Sequence, residues 1–169
     1  MIDFSDFILG QSLEPIELSD SDAQRSAAVA LVLQARRRVD IFTRDLDKKI
    51  YDNRDFLDGL QNVAVNQRGL IRILVKDSDK AVKYGHRLIA LSQRLTSFIE
   101  IRKVADDFKE YNEAFLVADE IGYAHRKHAD RFEGIACFNG AKEAVNLLIF
   151  FNEVWRHSAP DPNLRRIYL

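Results

Sequence analysis

One stretch of this chain, Leu70–Val75 (LIRILV), is apolar at every position but Arg72, and an earlier one, Val39–Thr43 (VDIFT), is short, β-branched and aromatic and reads as a strand. A strand wetted on one face alternates polar with apolar residues, so an unbroken run has to be covered on both faces, the condition of a parallel sheet lined by crossover helices. The neighbouring segments supply those helices. Ser19 to Asp22 offers capping oxygens and first-turn carboxylates to a helix over 21–37, in which Ala27, Leu31 and Ala35 recur at helical spacing and Arg36, Arg37 and Arg38 close the end. Asp52 or Asn53 caps a second helix with the stripe Phe56, Leu57, Leu60, Val63 and Ala64, stopped at Gly69. Ser78 and Asp79 cap a third, carrying Ala81, Val82, Leu88, Ile89 and Leu95, before the alternating strand 98–104 (FIEIRKV). The order is β-α-β-α-β.

Beyond residue 113 the pattern turns antiparallel. Ala114–Ala118 and Ile121–His125 read as a hairpin around Asp119-Glu120, and a charged loop (HRKHADR) leads into Phe132–Phe138. Asn139-Gly140 then turns into a last helix with Val145, Leu148, Phe151, Val154 and Trp155 facing inward, ended by Pro160 and Pro162. The expected fold is therefore α/β: a mixed sheet, parallel first and antiparallel afterwards, with helices on both faces. Residues 1–18, broken by Pro15, read as an irregular arm, and residues 19–169 as one domain.

Charge and cysteine usage narrow the function classes. Of the 169 residues, 47% are hydrophobic, enough for a sizeable core. With 25 Lys and Arg against 26 Asp and Glu the net charge is −1, so no overall field draws nucleic acid or anionic lipid, and a nucleic-acid partner ranks low despite Arg36-Arg37-Arg38 and the HRKH loop. A single cysteine, Cys137, sits among apolar neighbours that fit a core position; it excludes an internal disulfide and suits a reducing, cytoplasmic setting. No apolar run is long enough to span a bilayer, and no glycine loop has phosphate-cradling spacing.

The residues left for chemistry are few. His125 and His128 with Asp130 have a spacing that suits either metal ligands or a solvated polar loop, and no cofactor or metal is expected. His86-Arg87 follows Gly85 inside a predicted helix, where glycine costs about 1 kcal/mol relative to alanine, so close packing or an anion site is the natural reason for it. Glu113, Asp119 and Glu133 are carboxylates whose spacing does not distinguish catalysis from surface charge.

The order of elements from Arg38 to Trp155, with the segments IFTRDLD, YGHRLI, EAFLVAD, DRFEG, FFNEVW and LRRIYL, resembles an uncharacterised bacterial phospholipase D-like domain found alone or appended to GNAT-type N-acetyltransferases. The resemblance spans residues 20–169. It implies one half of the phospholipase D fold, whose signature HxKxxxxD supplies a phosphorus nucleophile, a phosphate-holding lysine and a supporting aspartate. Here the matching positions are Asn112, Ala114 and Asp119, and only the last agrees. An amide replaces neither the nucleophile nor the general acid, and alanine offers an oxyanion no charge, so the standard phosphodiesterase reaction is expected to be absent, with no catalytic residue to name.

Ligands of open sheets collect beyond the carboxyl ends of parallel strands, where Arg44, Asp45, Lys76 and Asp77 fall. Arg131 and Glu133 join them from the antiparallel side, with His86, Arg87, Asn112, Glu113 and Asp119 as further candidate ligand-binding residues. The same residues also read as ion pairs stitching strand ends. The expectation is a non-catalytic module that binds a small anionic ligand or a partner such as an acetyltransferase domain. Because catalytic members of the superfamily pair two halves about a two-fold axis, a homodimer is implied. The alternative is a phosphoesterase-type hydrolase using His86, His125 or His128 with Glu113 or Glu133, or a metal.

Overall fold

The computed structural model describes residues 2–165 and builds one eight-stranded sheet with helices on both faces. In chain order the elements are β1 (Ile16–Leu18), α1 (Ser21–Gln34), β2 (Arg38–Thr43), α2 (Lys48–Tyr51), α3 (Arg54–Gln61), β3 (Leu70–Val75), α4 (Asp79–Lys83), α5 (Arg87–Arg94), β4 (Ile99–Lys103), β5 (Ala114–Ala118), β6 (Gly122–Arg126), β7 (Gly134–Cys137), α6 (Ala141–His157), β8 (Ala159–Pro160) and α7 (Pro162–Arg165). The strand order is β1-β7-β6-β5-β2-β3-β4-β8. β2, β3 and β4 are parallel; every other pairing is antiparallel. This is the mixed α/β sheet that the apolar run 70–75 required.

The two-residue period of the strands divides the core in two. Val39, Ile41, Ile71, Ile73, Leu116 and Ala118 pack under α1, α3 and α5. Phe42, Leu74, Phe115, Val117, Tyr123 and Cys137 pack under α6, through Ala144, Leu148, Phe151 and Val154. Arg72, the polar break in β3, belongs to the α6 face. Its Nε donates to the buried Asp40 carboxylate at 2.7 Å, and its guanidinium lies 4.8 Å over the Phe151 ring. A buried carboxylate is thus paired with Arg72 and, at 3.2 Å, with Arg38, as burial of charge demands.

Five details depart from the sequence reading. Arg36, Arg37 and Arg38 do not close α1, which ends at Gln34 with no basic residue in its last turn, and Arg38 opens β2. The arm is not irregular throughout, since Ile16–Leu18 pairs antiparallel with β7, and Phe7 stacks on Phe138 at 5.6 Å. The third helix is two, α4 and α5, because Gly85 adopts φ +68°, a conformation that ends α4 and lets His86 cap α5. Ser78 does not cap α4; its hydroxyl donates to the buried Asp161 carboxylate at 2.5 Å. Val145 points outward on α6, 45% exposed. Of the segment LRRIYL, residues 166–169 lie outside those described.

Gly59 lies where α3 crosses α1, and a Cβ there would come within 2.6 Å of Val32 Cγ2 and 3.3 Å of the Leu33 nitrogen. Alanine ordinarily gains about 1 kcal/mol over glycine inside a helix. Here overpacking of about 1–3 kcal/mol outweighs that gain. Gly59→Ala is expected to lower the thermal midpoint; a raised midpoint contradicts the α1–α3 packing.

Candidate functional site

The register fixes which ends of the strands meet. Thr43 pairs with Val75 and Val75 with Lys103, so the carboxyl ends of β2, β3 and β4 lie along one edge. Because β5 runs antiparallel to β2, with Phe42 opposite Phe115, it begins at that same edge. Ala114 in turn pairs with Arg126, which brings the end of β6 and the loop before β7 there as well. Arg44, Lys76, Asn112, Glu113 and the 127–133 loop therefore share one mouth of the sheet.

At its centre Lys76 reaches across from the end of β3. Its Nζ donates to the Tyr111 carbonyl at 2.8 Å and to Asn112 Oδ1 at 3.2 Å. Partial burial lowers the Lys76 pKa, and Arg44 adds to that, while Glu110 opposes it. The main chain of Asn112 is also fixed, its carbonyl accepting from the Ala129 N–H at 2.7 Å. Ala114 is buried and presents no polar group.

Beside this amide–ammonium pair, His125 Nε2 and Glu113 Oε1 are 2.6 Å apart. The His125 ring packs edge-on against Phe115. A carboxylate bonded to one imidazole nitrogen orients the ring and leaves the other nitrogen for an outside partner. Tyr111 is pushed up from its ordinary pKa, first by burial and then by the Glu113 charge. The hydroxyl stays protonated at neutral pH.

The remaining predicted residues separate from this centre. Asp119 lies at the far end of β5, roughly 17 Å from Ala114 at strand spacing. Its carboxylate accepts from the N–H groups of Arg36 at 2.9 Å, Arg37 at 2.7 Å and Arg38 at 3.0 Å, so it clasps the α1–β2 connection and does not face the mouth. Arg87 is committed to Asp52, with Nε 2.8 Å from Oδ1 and Nη2 bonded to its carbonyl. Arg44 and Asp45 sit at the mouth as a loose 3.6 Å pair. Arg131 and Glu133 occupy the mouth loop with exposed side chains, and the loop itself is held by the buried Arg126, which donates to the Ala129 and Arg131 carbonyls.

His86 is 4% exposed and lines a separate cavity of about 180 Å³ with Asp45, Leu46, Asp47, Lys48, Lys80, Ala81 and Tyr84. His86 therefore does not share this cavity with Arg44, Glu113, Arg131 or Glu133. His128 and Asp130 do not join His125, and among the described residues no group of three acidic, His or Cys side chains is placed to hold a metal ion.

Sequence reasoning places Lys76 at a strand end and offers His125 with Glu113 only for the hydrolase alternative, and it misses Tyr111. Lys76 follows directly on an apolar strand, and His125 sits two positions after Tyr123 on β6, so both face the mouth once the β2–β5 register is known. That register was the missing information.

Burial lowers the His86 pKa, outweighing the attraction of Asp52, while Lys48 and Arg87 lower it further. An unfolded histidine takes up its proton near pH 6.5, before the folded one does. The neutral ring therefore contributes stability above about pH 6.5, and that contribution fades as pH falls toward the lowered value. Between pH 7.5 and 5.5 the thermal midpoint of the wild type is expected to drop more than that of His86→Asn, which keeps a capping oxygen; equal drops contradict the buried neutral ring.

Comparison with known proteins identifies the architecture. The phospholipase D family member Nuc from Salmonella typhimurium superposes with a TM-score of 0.65 at 11% identity, over 88% of this chain and 99% of that one. TrmBL2, an archaeal chromatin protein, gives 0.61 at 12% identity over 87% of this chain and 54% of its own. NucT from Helicobacter pylori gives 0.58 at 10% identity over 88% and 99%. No curated protein matches by sequence. At such identities the likeness establishes a phospholipase D-like fold and nothing finer. Among the described residues no helix is long and apolar enough to cross a membrane. Residues 20–167 match the model of one family, and the chain belongs to it: Domain of unknown function (DUF7931).

Proposed function

We propose that this domain is a non-catalytic phospholipase D-like module that takes a small anionic group at the mouth of its sheet, between Lys76 and Arg44. The observation that carries this reading is the Lys76 ammonium, drawn in from β3 and held 3.2 Å from the amide oxygen of Asn112, at the position where the fold's signature would place a histidine. A cation is present, and the neighbouring group cannot attack. An ammonium with one neutral amide acceptor and one carbonyl acceptor retains its charge for a ligand. A phosphate or carboxylate oxygen is its natural counterpart.

A second copy of the chain completes the reading. The outer face of α6 exposes Ile149 at 65% and Val145 at 45%, an apolar strip that supports an isologous contact of the kind the resemblance implies. An acetyltransferase domain in a reducing cytoplasm is the partner that the same resemblance proposes. One observation favours the alternative, a phosphoesterase-type hydrolase: His125 is oriented by Glu113 at 2.6 Å in the way an acid–base or nucleophilic imidazole is.

Three measurements decide among these. Calorimetric titration with inorganic phosphate is expected to show saturable binding that weakens about tenfold in Lys76→Met, consistent with loss of a charge-assisted hydrogen bond. A generic phosphodiester is expected to survive incubation with the same protein; turnover that vanishes in His125→Ala establishes the hydrolase instead. Light scattering at tens of micromolar is expected to give a dimer that Ile149→Asp dissociates. A wild-type monomer contradicts the two-fold contact.

A further inference from the structure

We infer that the cavity under the break between α4 and α5 is a second binding site, built for a small carboxylate with a compact apolar body and independent of the mouth reading. The inference starts from one atom: His86 Nε2 is buried and has no hydrogen-bond partner among the described residues. The other ring nitrogen settles its state. Nδ1 accepts the Leu88 N–H at 3.1 Å, capping α5, so in the neutral ring the proton resides on Nε2. A buried N–H donor without an acceptor costs free energy on the scale of a lost hydrogen bond. The Leu46 main chain is the one backbone group that interacts with the ring, and it falls short of a well-formed hydrogen bond to Nε2.

The cavity supplies room for a missing acceptor. Its volume of about 180 Å³ exceeds the roughly 150 Å³ that admits benzene into an apolar protein cavity, and falls below that of drug-sized pockets. Leu46, Ala81 and Tyr84 give it apolar walls. Of the charged groups around it, most are already engaged. Asp45 pairs with Arg44, Asp47 caps α2 through the Lys49 N–H, and Lys48 lies 4.0 Å from Asp52. Lys80 has no ion pair among the described residues and lines the same cavity. One inward donor and one uncommitted cation around an apolar volume match an anion of one carboxylate carried on a small hydrocarbon body.

The backbone keeps this opening in place. Leu46 takes φ +56°, with its N–H held by the Thr43 hydroxyl, and Gly85 takes φ +68° with open space where a side chain would stand. These two left-handed residues turn the α2 and α4 segments so that the His86 ring lies between them. A continuous helix through residue 85 would carry His86 on α4 and remove the cap on α5.

The test is nuclear magnetic resonance of the imidazole and backbone amides during titration with benzoate and, separately, isobutyrate. Both are expected to move the His86 Nε2–H signal and the amides of Leu46, Ala81 and Tyr84 saturably at millimolar concentration. His86→Asn keeps the helix cap through Oδ1, while its shorter amide does not extend to the place of Nε2, and it is expected to weaken binding about tenfold or more. Ala81→Leu fills the cavity while leaving His86 in place, and is expected to abolish the shifts. Absence of saturable shifts up to tens of millimolar, unchanged affinity in His86→Asn, or shifts surviving in a folded Ala81→Leu each overturn the proposal. Inorganic phosphate acting at Lys76 leaves these signals unmoved, so failure here is distinct from failure at the mouth.

Discussion

The antiparallel pairing of β5 against β2 is the constraint on which the rest depends. Without it, β2, β3 and β4 form a parallel sheet whose carboxyl ends open onto solvent, and the chain after residue 113 has no fixed relation to them. With Val39 opposite Ala118 and Phe42 opposite Phe115, the start of β5 is set beside the ends of β2 and β3. Asp119 locks that register from the other end, receiving three successive backbone N–H groups from the α1–β2 connection. Slipping β5 by one residue would put Phe115 and Val117 on the wrong face and strand those donors at once. Asp119 thus serves the mouth from a distance, as a clasp on the strand that borders it.

What the mouth offers follows from which side chains that register delivers. The segment leading into β5 contributes an amide at residue 112, and β5 a methyl at residue 114, neither of which can attack phosphorus or neutralise an oxyanion. β3 contributes the ammonium of Lys76, and β6 the His125 imidazole, already bonded to Glu113. The cation at the mouth thus comes from the end of β3 and the imidazole from β6, on either side of the strands that separate them.

The fold was legible because burial writes itself into composition: the nearly all-apolar run 70–75 demanded a covered parallel sheet, and the Asp119-Glu120 turn, where both residues take positive φ, announced the hairpin. The site was legible only in part. Strand ends named Arg44, Asp45, Asn112 and Glu113 as mouth residues, but nothing local shows that Arg87 reaches back to Asp52, or that Asp119 faces away. Those are choices among long-range partners, fixed by register and helix crossing. The split of the third helix depended on Gly85, whose positive φ a helical stripe of Ala81, Val82, Leu88 and Ile89 conceals. Val145 fits the inward stripe by spacing and still faces out, because α6 covers the sheet with a narrower face than its apolar residues could fill.

The central claim is that this mouth holds an anion and does not attack it. Rapid quenching after mixing with a radiolabelled phosphodiester examines that claim directly, because nucleophilic attack by an imidazole leaves an acid-labile phosphohistidine on the protein. The account predicts no protein-bound label at any mixing time, with the diester recovered intact. Label accumulating on His125, and lost in His125→Ala, would contradict it.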